Sequence, residues 1–546
     1  MPRTALAASI HRALRIARLC EVRRLSTSDG LAAVREWEHR TASGTTRREW
    51  LKLVGSAGVA GAVASIATPL GRLHAAGSQG ASPSVGIVGA GLAGLACADA
   101  LAARGIVATV YDANDRTGGR CWTLRGFFPG QVAERGGEFI DTPHKTMLRF
   151  ARRFNLALED VTKKAGETTY FFDGQHVPEA DVVDAFREFV PVLHADLRRV
   201  SGEVTAFSPT ATDVAVDNTS LAAYLDGANA LGVAAPPIAR SAITSAYLGE
   251  YGLETDEQSC LNLLMFIHAD RRSKFTPFGV SSDERYHLAD GNDGIVQGLT
   301  SALPAVQLGM RLVAVRRTAS DAIELTFEGP GAPPPRTHDV VVLAIPFTVL
   351  RTVALNANLG IPSAQQAAID NLGYGTNAKL LVGFGGRPWT GFGSDGTAYS
   401  DLANHQLNWE TNRVRASATR AVLTDYASGD RGASLDLTGL QPAAELFLTD
   451  LDLVYPGAAA VASRRADGSV LAHLEHWPSN PLALGSYTCY RPGQFTTIAG
   501  LEGQPAGNLY FAGEHADSFY NWQGFMEGAA LSGLDVANEI LRAVKK

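Results

Sequence analysis

Cysteine is scarce in this 546-residue chain. Its five cysteines (Cys20, Cys97, Cys121, Cys260 and Cys489) show neither a paired framework nor metal-ligand spacing, which argues against a disulfide core and a thiolate metal site. Charge is sparse as well: 48 Lys and Arg stand against 55 Asp and Glu, a net charge of −7. No dense basic stripe occurs beyond the first fifty residues, and that argues against nucleic-acid binding as a main task. Internal repeats and low-complexity tracts are lacking too. The most apolar window, "LVGSAGVAGAVASIATPL" from Leu53 to Leu70, is diluted by Gly, Ser, Thr and Pro, which suits a cleaved signal better than a membrane span.

What precedes that window is basic. "TRREWLK", Thr46 to Lys52, carries Arg47 and Arg48 followed by an aromatic, Leu and Lys, and small residues occur at Ala75-Ala76. The stretch resembles a twin-arginine signal, which implies passage of an already folded protein through the twin-arginine export machinery. The expectation is an exported protein, periplasmic or secreted, whose mature form does not span a membrane. Residues 1–80 are therefore read as an N-terminal extension and signal outside the fold. Nothing in the composition explains the long segment before the paired arginines.

Glycine, in contrast, is abundant at 56 residues, and it clusters. "SVGIVGAGLAGLACADALAARGIVATVYD", Ser84 to Asp112, reads as a strand (Val85–Val88), a tight turn, a helix (Leu92–Arg104), Gly105 as helix stop and a second strand (Val107–Tyr111). Gly89 permits the turn, Gly91 lets backbone approach a pyrophosphate, and Gly94 allows close helix–strand packing. Helix-start N–H groups then face the phosphates, and Asp112, with Ala113 beside it, ends the second strand where a ribose would sit. Together they predict a dinucleotide site.

The stretch "YDANDRTGGRCW", Tyr111 to Trp122, sharpens that reading, because Arg116, Gly119 and Arg120 follow the acid directly. A second glycine pair comes in "AERGGEFID", with Gly136, Gly137, Glu138 and Phe139. Paired glycines suggest backbone passing close to an extended ligand, and arginines suggest charge set against phosphates. The set resembles the flavin-containing amine oxidase family, which includes monoamine, polyamine and L-amino acid oxidases. Asp112 departs from the Glu usual there but keeps its chemistry. The resemblance implies an α/β fold: a Rossmann-like FAD-binding domain in three segments (81–145, 286–350 and 471–546). An interleaved α+β substrate domain would come from 146–285 and 351–470.

Two distant stretches extend the match. "RLVAVRR" with "DVVVLAIPFTVL" looks like the middle segment, with Val313 where the family sets backbone against the adenine. "NLYFAGEHADSFYNWQGFMEGAALSGLDVANEIL" looks like the last one, with a strand over Asn508–Ala512 and a helix starting near Gln523. By resemblance Gly513 and Glu514 meet the ribityl chain and N–H groups around Phe525 and Met526 face the pyrimidine, while Trp477 and Trp389 are each either a wall of the ring or simple core. The family's covalent cysteine position holds Ser486, so FAD is expected to be non-covalent.

Amine oxidation needs an uncharged nitrogen in a dry cavity with aromatic faces. By resemblance Tyr487 and Phe525 form an aromatic cage, and Lys379 assists at flavin N5. In L-amino acid oxidases an arginine after the second glycine motif pairs with the substrate carboxylate, and Phe139 stands there instead. Arg285 and Arg491 remain as substitutes for it. Asp141, with Phe139 and Tyr487, is a candidate substrate contact, and polyamine oxidases carry a carboxylate near its place. The expected reaction converts a primary or secondary amine, O2 and water to an aldehyde or ketone, an amine or ammonia, and H2O2. The alternatives are an L-amino acid oxidase, or a dehydrogenase or desaturase with another acceptor. A homodimer is left open, and no metal is implied.

Overall fold

The computed structural model describes residues 83–544 apart from 164, 273–282, 330–332 and 412–418, together with scattered positions between 16 and 34. A four-stranded parallel sheet carries the architecture. Its first strand, β1 (Val85–Val88), leads through α1 (Leu92–Ala102) to β2 (Thr109–Tyr111). β1 pairs with β2 on one side and with Val340–Leu343 on the other, and Val340–Leu343 then pairs with Leu509–Phe511. Three widely separated stretches thus share one sheet. Their near-continuous apolar sequences, VGIV, VVVL and LYF, reflect burial on both faces, the usual condition of parallel strands. Alternate residues enter two different cores: Val85, Ile87, Val340 and Val342 join one, while Val88, Val341, Leu343 and Leu509 join the other.

The edges of these elements are shorter than their sequence patterns suggest. α1 ends at Ala102, two residues early, because the chain turns into Gly105 with φ +84. β2 begins only at Thr109, the first residue in register with β1, and Val107 is left exposed. The C-terminal helix starts at Met526 rather than near Gln523. A turn delays it, in which the Asp517 carboxylate accepts the Trp522 N–H at 3.0 Å.

A seven-stranded mixed sheet makes the second layer, in the order 472–476, 378–384, 421–427, 405–410, 394–402, 167–172, 175–177. Ala378–Phe384 lies inside it and is buried throughout. Its register sets Lys379 opposite both Tyr426 and Glu475. Helices Glu179–Leu197 and Pro237–Tyr251 pack beside this sheet within the largest core.

The N-terminal reading needs a correction. The expected export signal lies outside the described residues, but positions ahead of it belong to the folded body. Ile16, Ala17 and Cys20 are buried in the large core, and Arg187 of helix Glu179–Leu197 donates to the Leu25 carbonyl at 3.4 Å and to the Thr27 hydroxyl. Among the described residues no helix is long and apolar enough to cross a membrane.

Candidate active site

A single long cavity runs from the C-terminal end of the parallel sheet to the face of the seven-stranded sheet, enclosing about 1830 Å³ including its mouth. At one end lie Gly89, Gly91, Asp112, Ala113, Arg116, Gly119 and Arg311; at the other lie Phe139, Lys379, Trp409, Tyr426, Tyr487 and Phe525. Its two ends, a glycine-rich turn and an aromatic cluster, suit a dinucleotide with a small substrate beside it.

The dinucleotide end is built from close backbone approaches. Gly89 has φ +106, and a Cβ there would strike the Ala344 carbonyl from the adjacent strand. A Cβ on Gly94 would collide with the Gly89 carbonyl, so Gly94 lies behind the cavity wall and fixes α1 against the turn. At Gly91, by contrast, nothing approaches within 4 Å of a would-be Cβ. That empty cradle, at the start of a helix with no side-chain cap and no acidic residue in its first turn, fits a pyrophosphate. Asp112 is tied down rather than free. One carboxylate oxygen accepts the Ala90 N–H at 2.6 Å and the other the Asn114 N–H at 2.8 Å. Burial raises its pKa, against the lowering effect of those two bonds and of Arg116.

Arg116 answers why an arginine follows the acid so closely. Its guanidinium turns back to the Gly119 carbonyl at 2.8 Å and lies 3.7 Å above the Trp122 ring, so it latches the double-glycine loop while still lining the cavity. Arg120 reaches across to the C-terminal stretch, donating to the Ser486 carbonyl at 2.6 Å and to Glu514 Oε1 at 3.0 Å. Thr488 Oγ1 donates to the other Glu514 oxygen at 2.8 Å.

At the far end aromatic side chains meet. The hydroxyls of Tyr487 and Tyr426 are 2.9 Å apart, and Tyr487 donates to the Gly249 carbonyl at 3.2 Å. Tyr426 packs edge-on to Trp409 at 5.2 Å, and Trp409 lies 5.8 Å from Phe139. Phe525 is held edge-on by Trp522 and by His144, whose imidazole burial pushes down to about 3. Lys379 is buried at the centre, donating to Glu138 Oε2 at 2.7 Å, to the Gly136 carbonyl at 2.8 Å and to the Glu134 carbonyl at 3.2 Å.

Most of the sequence candidates line this one cavity, with specific departures. Val313 does not line it; Met310, Arg311 and Leu312 do. Trp477 is in the wall and donates to the Arg135 carbonyl, whereas Trp389 is core, fully buried with its indole on Glu410. The Phe525 N–H is taken by the Trp522 carbonyl at 3.0 Å. Arg285 pairs with Asp160 and Arg491 with Glu257, and neither lines the cavity. Asp141 does line it, but its carboxylate accepts the Glu284 N–H and lies 3.3 Å from His144. Trp409 and Tyr426 were not singled out in the sequence. Only the cross-strand register brings them beside Lys379.

Glu134 gives a pH signature. Wholly buried, it accepts from Asn292 N–H and Thr123 Oγ1, and burial, with Glu138 nearby, raises it from 4.5 to about 8. The unfolded chain releases this proton near its ordinary value and the folded chain holds it to about 8. Its unfavourable effect is therefore absent below about pH 4.5 and grows until about pH 8, reaching about 5 kcal/mol at most. Glu134→Gln should therefore raise the melting temperature at pH 8.5 much more than at pH 5. Equal gains at both values would remove the assignment.

Residues 92–541 match the family model described as flavin containing amine oxidoreductase. An L-amino-acid oxidase from Vipera ammodytes ammodytes is 21% identical over 462 residues, covering 84% of this chain and 92% of its own. One from Bothriechis schlegelii is 22% identical, with 84% and 90% covered. Among solved structures, cyclohexylamine oxidase from Brevibacterium oxydans superposes with a TM-score of 0.71 at 20% identity, covering 85% of this chain and all of that one. Putrescine oxidase bound to putrescine gives 0.68 at 18%, with 84% and 99% covered. A family match spanning most of the chain decides the matter: this protein belongs to the flavin-containing amine oxidoreductases, enzymes that use a flavin to oxidise the carbon–nitrogen bond of an amine donor.

Proposed function

We propose that the protein is an exported oxidase that binds FAD non-covalently and oxidises a primary or secondary amine lacking an α-carboxylate, with O2 as acceptor. The amine gives up two electrons and two protons to become an imine, O2 takes them up as H2O2, and water releases the carbonyl product and ammonia or a smaller amine. One observation carries the substrate class. Among the described residues the only arginines lining the cavity are Arg116, Arg120 and Arg311, and the first two are engaged in bracing its cofactor end. No described guanidinium reaches the aromatic end, where a substrate carboxylate would need its bidentate partner.

When bound, FAD supplies the two-electron acceptor at its ring. The residues do the rest. Gly91 and the start of α1 would take the pyrophosphate, Asp112 the ribose and Glu514 the ribityl chain. Tyr487, Phe525, Trp409 and Phe139 exclude water and offer faces that orient the amine; a low-dielectric wall favours its uncharged form. Ser486 and the buried Cys489, which is outside the cavity wall, support the non-covalent reading. The export element rests on Arg47 and Arg48.

Anaerobic mixing with mono-, di- and polyamines and with L-amino acids tests this. Amines should bleach the visible flavin band, and air should restore it. An L-amino acid oxidase is the second reading, favoured by the sequence relatives. Bleaching by amino acids alone would establish it and end the first.

A further inference from the structure

The cavity wall holds a buried ion pair that the proposed chemistry does not require. An ammonium has three N–H donors, and Lys379 directs all three at protein acceptors: Glu138 Oε2 and the carbonyls of Gly136 and Glu134. The other Glu138 oxygen accepts the Trp409 indole N–H at 2.9 Å. Both side chains are almost fully buried, 6% and 3% exposed, and both line the cavity. The backbone beneath Glu138 has no slack. A Cβ on Gly136 would collide with the Arg120 carbonyl, and one on Gly137 would press on Met526.

A buried pair is no more stabilising than apolar residues of the same volume, so stability alone does not account for one here. Resting on the flavin reading above, we propose that Glu138 is a positioning residue that pins Lys379 and balances its charge, so that the pair sets the redox equilibrium of the bound flavin. Reduced flavin carries negative charge and is favoured by an uncompensated cation beside it. Without the Glu138 charge, Lys379 keeps its hydrogen bonds to two carbonyls and the Trp409 face 5.4 Å away.

The other charged and titratable groups nearby are accounted for. Opposite Lys379 on the adjoining strands stand Glu475, neutralised by Arg135, and Tyr426. Arg120 and Glu514 neutralise one another. Glu134 stays protonated well below about pH 8.

The test is a reductive titration of the flavin-loaded protein against a reference dye at pH 6.5, with a chemical reductant and no substrate. Glu138→Gln should shift the two-electron equilibrium toward reduced flavin about tenfold, about 30 mV. Adding Lys379→Met should cancel the shift, since that double variant again has no net charge. A shift under threefold, a shift toward oxidised flavin, or one that the double variant retains would overturn the proposal. Glu138→Met serves in the same way if Glu138→Gln does not load flavin. Wild-type protein unable to hold flavin would defeat the functional reading instead, whereas a loaded variant that does not shift defeats only this one.

Discussion

Gly94→Val is expected to yield a protein without visible flavin, a loss of at least a hundredfold in cofactor affinity. The cause is backbone geometry. A Cβ at this position would collide with the Gly89 carbonyl and come within 3.2 Å of the Ile87 side chain. Gly89 cannot retreat, because its own would-be Cβ already meets the Ala344 carbonyl and its N–H is bonded to the Tyr111 carbonyl at 2.8 Å. Relief therefore has to come from α1, which must lift off β1. That moves the uncapped helix start from the phosphate position and opens the packing of α1 against the C-terminal helix, where a Cβ on Gly533 would strike the Ala93 carbonyl. A shift of about 1 Å is enough to disrupt ligand geometry of this kind. The measurement is the visible flavin absorbance per mole of purified protein. Full occupancy would show that Gly94 has no part in shaping the cleft.

The features legible in the sequence were those whose cause is local. Gly89, Gly91 and Gly94 act within one turn and its helix, and the stretch Arg311–Arg317, read as part of the middle segment, is a strand. Where a feature depends on which strand lies beside which, local pattern fails. Val313 illustrates this: the register with the neighbouring strand passes from Leu312 to Ala314 and skips it, and the cavity takes Met310, Arg311 and Leu312 instead. Trp389 shows the same limit: the sequence leaves it as ring wall or core, and the structure makes it core, edge-on to Phe384 and bonded to Glu410.

Longer-range dependence hid the rest of the site. Trp409 and Tyr426 read as ordinary members of buried strands, and their proximity follows from pairing across the seven-stranded sheet. Lys379 was a candidate through the family resemblance, but its partner Glu138 is 241 residues away in sequence. The same applies to the N-terminal positions packed against helix Glu179–Leu197, which composition alone placed outside the fold.

Arg120→Met should lower both flavin affinity and melting temperature, and the two losses have one origin. Arg120 comes from the glycine loop after β2, and its guanidinium holds Glu514 and the Ser486 carbonyl, both from the C-terminal stretch. It is the described ionic link between the two sides of the cavity there. Removing it takes the Arg120 charge away from the buried Glu514, to which Thr488 still donates. Breaking one partner out of a buried pair costs about 3 to 5 kcal/mol, a large share of the roughly 5–15 kcal/mol that holds a folded protein together. Arg120→Lys separates charge from geometry, because a lysine ammonium can meet Glu514 as a point charge but lacks the planar guanidinium, whose Nη1 reaches both acceptors. Melting temperature should therefore recover substantially in the lysine variant while flavin affinity stays reduced. Equal recovery of both would mean that Arg120 acts through charge alone. Wild-type behaviour of Arg120→Met would show that the cleft does not depend on this bridge.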